Sequence, residues 1–68
     1  MENHILPLAA MERLLKKTGA IRVSEDAKEA LREALETRSE EIGKRATELA
    51  AHTGRKTVKS VDIKLAVK

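Results

Sequence analysis

The chain of 68 residues has no Phe, Tyr or Trp. That removes the stacking platforms on which single-stranded nucleic acids are usually held. It has no cysteine, so neither disulfides nor thiolate metal sites can support a small fold. One proline and three glycines leave few places where a helix must stop. No apolar run approaches the ~18 residues of a membrane span, and no signal-peptide pattern opens the chain, so a soluble, cytoplasmic protein is expected. Catalysis has little to work with. No nucleophile sits beside a base, no glycine-rich phosphate loop occurs, and His4 and His52 are too isolated to suggest a metal site. Neither an enzyme nor a cofactor is expected, nor a small-molecule substrate.

What is present is aliphatic and charged. Of 28 apolar residues ten are alanine, leaving eight Leu, four Ile, four Val and two Met to build a core. A chain this short buries only about 60% of the surface it exposes when unfolded, so oligomerisation is expected. Fourteen basic and eleven acidic residues give a net charge of +3. Residues 1–23 hold four basic and two acidic groups, residues 24–53 five and eight, and residues 54–68 five and one. Two positive ends flanking an acidic middle suit a polyanion contacted by the ends.

Local signals divide the chain into one domain with three helices. Pro7 suits a first turn, Leu8, Met11, Leu14 and Leu15 follow at helical spacing, and Gly19 ends the run, predicting a helix over 7–18. Residues 1–5 are expected to form a frayed tail. Ser24 before Glu25 and Asp26 predicts an N-cap. With no stop before Gly54, the second helix would span 25–53, roughly 43 Å. Glu40–Lys44 and Glu41–Arg45 have favourable i, i+4 spacing on its polar face. Ser60 is expected to cap a last helix over 61–67. Ile21–Val23 and Arg55–Lys59 are extended in character. Two short helices cannot cover a stripe 43 Å long, which predicts that a second copy covers it. The fold class is all-α.

Leu6-Pro7, Arg13, Lys16, Gly19 and Arg22-Val23-Ser24 closely resemble the first helix and first loop of archaeal histones. Gly54-Arg55-Lys56-Thr57-Val58-Lys59, with Asp62-Ile63 and Leu65-Ala66-Val67, resembles their second loop and last helix. The likeness covers residues 5–67. It implies the histone fold (short helix, loop, long central helix, loop, short helix) and an intertwined handshake dimer in which Ile21–Val23 of one chain pairs with Lys56–Val58 of the other.

By the same resemblance Arg13 and Arg22 approach the minor groove of double-stranded DNA, and Lys56 and Thr57 bind phosphate. Lys16 and Lys17 join this DNA-binding set, although both also suit a helix C-terminus on ordinary grounds. Arg55 and Asp62 are implied to form a salt bridge locking the second loop. Leu49, His52 and Asp62 are implied to contribute to contacts between dimers, giving a tetramer or larger assembly. The function implied is sequence-independent organisation of chromosomal DNA, with a place on the nucleoid. The alternative is a histone-fold assembly module that pairs with another protein without compacting DNA. A chain that stops at Lys68, immediately after the last helix and without the aromatic residue often found near that end, leaves wrapping and bridging of DNA both open.

Overall fold

A computed structural model describes residues 4–68 of the chain. Those residues form three helices and no strand, in the order α1 (Leu8–Lys17), α2 (Glu25–His52) and α3 (Ser60–Ala66). The 28 residues of α2 correspond to about 42 Å of helix. The chain divides into two compact units, residues 1–37 and 38–68, with α2 running from one into the next.

The first unit begins with a segment tied to α2. Residues 1–3 of the expected frayed tail lie outside the described residues. His4 and Ile5 are hydrogen-bonded: His4 Nδ1 lies 2.8 Å from Glu36 Oε1, and the Ile5 and Leu6 N–H groups donate to Glu36 Oε2 at 2.7 and 2.9 Å. Pro7 is the N-cap of α1 in extended conformation rather than its first residue. The Ser24 hydroxyl accepts from the Ala27 N–H at 3.1 Å, capping α2 as its sequence predicts. Such a cap contributes about 1 kcal/mol. Met11 is the one buried large side chain of this unit among the described residues.

Both α1 and α2 end on the same device, built from a Thr-Gly pair. The Gly19 N–H donates to Lys16 O and the Ala20 N–H to Leu15 O; the Gly54 N–H donates to Ala51 O and the Arg55 N–H to Ala50 O. These are Schellman caps, which need a left-handed residue after the helix. Gly19 and Gly54 supply it, with φ of 114° and 74°. In each case the preceding threonine adds a bond: Thr18 Oγ1 donates to Leu15 O at 2.8 Å and Thr53 Oγ1 to Ala50 O at 2.9 Å.

In the second unit Ala46, Ala50 and Ala66 are buried together with Asp62. The last helix starts one residue earlier than its sequence predicts, because its cap is Lys59 and not Ser60. The Lys59 N–H donates to Asp62 Oδ2 at 2.8 Å, so the N3 carboxylate satisfies a backbone donor that Ser60 does not. Arg38 Nη2 reaches Val67 O at 3.4 Å, and Arg38 Nη1 faces Glu41 Oε1 at 3.6 Å, which draws Glu41 toward Arg38 rather than Arg45.

The apolar stripe of α2 is only partly covered. Leu31, Leu35, Ile42 and Leu49 are half-buried, while Ala27, Ala30 and Ala34 are exposed. Val61, Ile63 and Leu65 on α3, and Val67 just after it, are all more than a third exposed. Ile5 and Ile21 stand 89% exposed each. Large apolar groups left in water at this density are unusual for a chain that acts alone.

Candidate nucleic-acid interface

Within the first unit the implied cations stand on α1 and the loop after it. Arg13, Lys16 and Lys17 are exposed on α1. Their spacing of i, i+3 and i+4 puts them on one side of the helix. Arg22 is exposed in the loop, where it lines an apolar groove with Leu15, Ala20 and Val23. Arg13, Lys17 and Arg22 have no carboxylate partner among the described residues. Lys16 does have one: its Nζ lies 2.9 Å from Glu12 Oε2.

In the second unit Arg55 organises the loop between α2 and α3. Its Nε donates to Thr53 Oγ1 at 2.9 Å, and Nη1 donates to Thr57 O at 3.2 Å. The two terminal nitrogens form a fork on the carboxylate of Asp62, Nη1 to Oδ2 and Nη2 to Oδ1, both at 2.9 Å. One guanidinium thus binds the end of α2, the middle of the loop and the first turn of α3. Bidentate pairing of this kind is the strongest geometry available to the side chain. The Asp62 carboxylate, 3% exposed, is held below its ordinary pKa by Arg55 first and by the Lys59 N–H second. Arg55 is raised by the same partner.

That clamp has an electrostatic consequence. Asp62 is the only acidic residue after residue 53. With it paired to Arg55, Lys56, Lys64 and Lys68 keep no carboxylate partner among the described residues, and only Lys59 also feels the Asp62 charge. Lys56 and Thr57 are exposed on the clamped loop. Arg55 holds the Thr57 carbonyl, which fixes the backbone beside both side chains.

The three residues implied in contacts between dimers separate into two environments. Leu49 and His52 line an open groove with Arg45, Glu48 and Leu65. Asp62 does not line it, being buried against Arg55 and Lys59. No group of three or more His, Cys, Asp or Glu that could hold a metal ion occurs among the described residues, nor does a helix long and apolar enough to cross a membrane.

Sequence reasoning missed Glu36. Its carboxylate accepts two backbone N–H bonds and one from the His4 side chain, and is pulled to a pKa of about 2, chiefly by His4 and then by the Leu6 N–H. A carboxyl depressed in the folded chain gives stability that is complete above its unfolded value of 4.5 and is lost as pH falls toward 2. Glu36→Gln is expected to flatten the loss of stability between those two values. Melting followed by circular dichroism across that range checks it, and an unchanged acid profile would mean that the bonds to Glu36 contribute nothing.

A three-helix chain with a long central helix, two glycine-capped loops and unpaired cations on both loops has the pattern of the histone fold. Comparison with known families agrees. The family described as "Histone-like transcription factor (CBF/NF-Y) and archaeal histone" matches residues 4–67. The chain is 60% identical over 63 residues to a chain of the archaeal histone HAN1 from Thermococcus zilligii, covering 93% of this chain and 94% of that one. It is 49% identical over 63 residues to the probable archaeal histone 3 of Methanocaldococcus jannaschii, with the same coverage. The chain belongs to this family of histone-like transcription factors and archaeal histones. Membership supports a role in packaging DNA.

Proposed function

We propose that the protein is a histone that organises chromosomal DNA as a handshake homodimer, and as a tetramer or larger assembly on the duplex. Arg13, Lys17, Arg22, Lys56 and Thr57 make the phosphate and minor-groove contacts, with Lys16 as a conditional member. The observation that carries this reading is the sorting of the cations. Arg55, the one arginine of the second loop, is consumed by Asp62, while Arg13, Arg22 and Lys56 are exposed without acidic partners. Charges left unpaired beside the loops suit a row of phosphates, whose contacts carry no sequence information. Any preference among duplexes then comes from their bendability.

Dimerisation is supported by the uncovered stripe of α2 and by Ile21 and Val58, which stand exposed on the two loops. Leu49 and His52, sharing a groove with Leu65, are the surface offered for contact between dimers.

The test is light scattering on the protein alone and then with duplex DNA at low and high salt. A dimer that binds duplexes of unrelated sequence alike, with log affinity falling by about 0.9 per phosphate neutralised for each tenfold rise in salt, is the expected result. Progressive addition along one duplex would indicate wrapping or stacking; a discrete tetramer holding two duplexes would indicate bridging. A protein that ignores DNA at both salts is an assembly module instead.

A further inference from the structure

We propose that Glu12 is an internal competitor of DNA: its carboxylate occupies Lys16, and Lys16 reaches a phosphate only by leaving it. This rests on the DNA-binding reading given above. Glu12 stands among the cations of α1, beside Arg13 and one turn before Lys16. Its Oε2 lies 2.9 Å from Lys16 Nζ, with the acid N-terminal to the base at i, i+4, the favoured orientation on a helix. A carboxylate oxygen on an ammonium reproduces the charge and hydrogen-bond geometry of a phosphate oxygen. Arg13 and Lys17, the other cations of the row, have no such partner among the described residues.

The other oxygen of Glu12 makes the exchange inexpensive. Oε1 lies 3.5 Å from Nζ of Lys28, which is itself 2.8 Å from Glu25 Oε1 and whose side chain is only 13% exposed. Lys28 is therefore a fixed cation on α2, holding Glu25 on its own helix and Glu12 across the junction with α1. When Lys16 leaves, Glu12 keeps Lys28 and is not stranded. The Lys16 side chain is half exposed, and a pair so open to water is weak against the condensed charge of a duplex. Glu12 is held below its ordinary pKa, by Lys16 first and Lys28 next, so it remains an anion and a competitor throughout the neutral range. Lys16 then contributes less to affinity than an unpaired cation, and Glu12 sets how much less.

The experiment is anisotropy titration of a labelled duplex, over a range of salt, with the unaltered protein, E12Q, K16Q and the double variant. E29Q, which removes an exposed acid elsewhere, controls for net charge. E12Q is expected to bind several-fold tighter, with a salt slope steeper by up to about 0.9 per protomer. K16Q alone is expected to change affinity less than twofold, and K16Q in the E12Q background to abolish the gain. Equal gains in E12Q and E29Q, or a gain that survives K16Q, overturn the proposal. If E12Q melts too low to be used, E12D serves in its place, its shorter arm weakening the hold on Lys16, and an affinity no tighter than the parent's then counts against the proposal. Failure of the unaltered protein to bind DNA overturns the DNA-binding reading and this one with it. Binding by the unaltered protein with no gain in E12Q overturns this one alone.

Discussion

Asp62→Ala is expected to lower the melting temperature by at least ~10 °C and to release the second loop, the largest loss of stability expected from any one side chain. The carboxylate accepts three bonds, two from Arg55 and one from the Lys59 N–H. Removing it strands the guanidinium of Arg55, which is only 27% exposed, and leaves the first turn of α3 without its backbone acceptor. A helix of seven residues has no stability of its own to offset this. Asp62→Asn keeps one acceptor and loses the charge, so its melting temperature is expected to fall between those of the alanine variant and the parent. Circular dichroism melts at neutral pH check the order. Equal melting temperatures for all three would mean that the clamp is a surface ornament.

A second large effect is expected at the opposite kind of arginine. Arg13 and Arg22 carry charge that no acid in the described chain uses, so removing both should leave melting unchanged and DNA binding badly weakened. In a dimer the double alanine variant lacks four cations, and the salt slope is expected to be shallower by about 3.6. Affinity near ~0.1 M salt is expected to fall at least about a hundredfold, by a similar factor for every duplex tried. Anisotropy titration with several unrelated sequences measures both quantities. A loss confined to one sequence would make the contacts base-reading, and a lowered melting temperature would make one of the arginines structural.

The elements were legible because their punctuation is local. Gly19, Gly54 and Ser24 act on bonds within five residues, and α2 begins at its predicted residue and ends one residue before its predicted end. The start of α3 was misplaced for a related reason. A serine in the right position suggests a cap, yet the carboxylate of Asp62, already drawn into the loop by Arg55, satisfies the Lys59 N–H instead. Glu36 was illegible. It is bonded to residues about thirty positions earlier, and no spacing rule connects a mid-helix glutamate to the N–H groups ahead of α1. For the interface, Arg13, Arg22 and Lys56 could be named from their resemblance to a family. That Lys16 is occupied by Glu12 while its neighbours are not needed coordinates, because an i, i+4 pair is one of several a lysine can choose.

The smallness of the core has a consequence for the cell. Met11 in one unit and three alanines in the other are all the apolar side chains the described chain buries. So little burial within one chain cannot repay the entropy of ordering its backbone, and in the proposed dimer folding and meeting a partner become one event. For such a dimer dilution is expected to act as heat does, with a melting temperature that rises with the amount present. On that reading no reserve of folded single chains stands ready to exchange between assemblies. A protomer that leaves gives up its fold as it goes, and the rate of protein synthesis becomes a term in the stability of the complex.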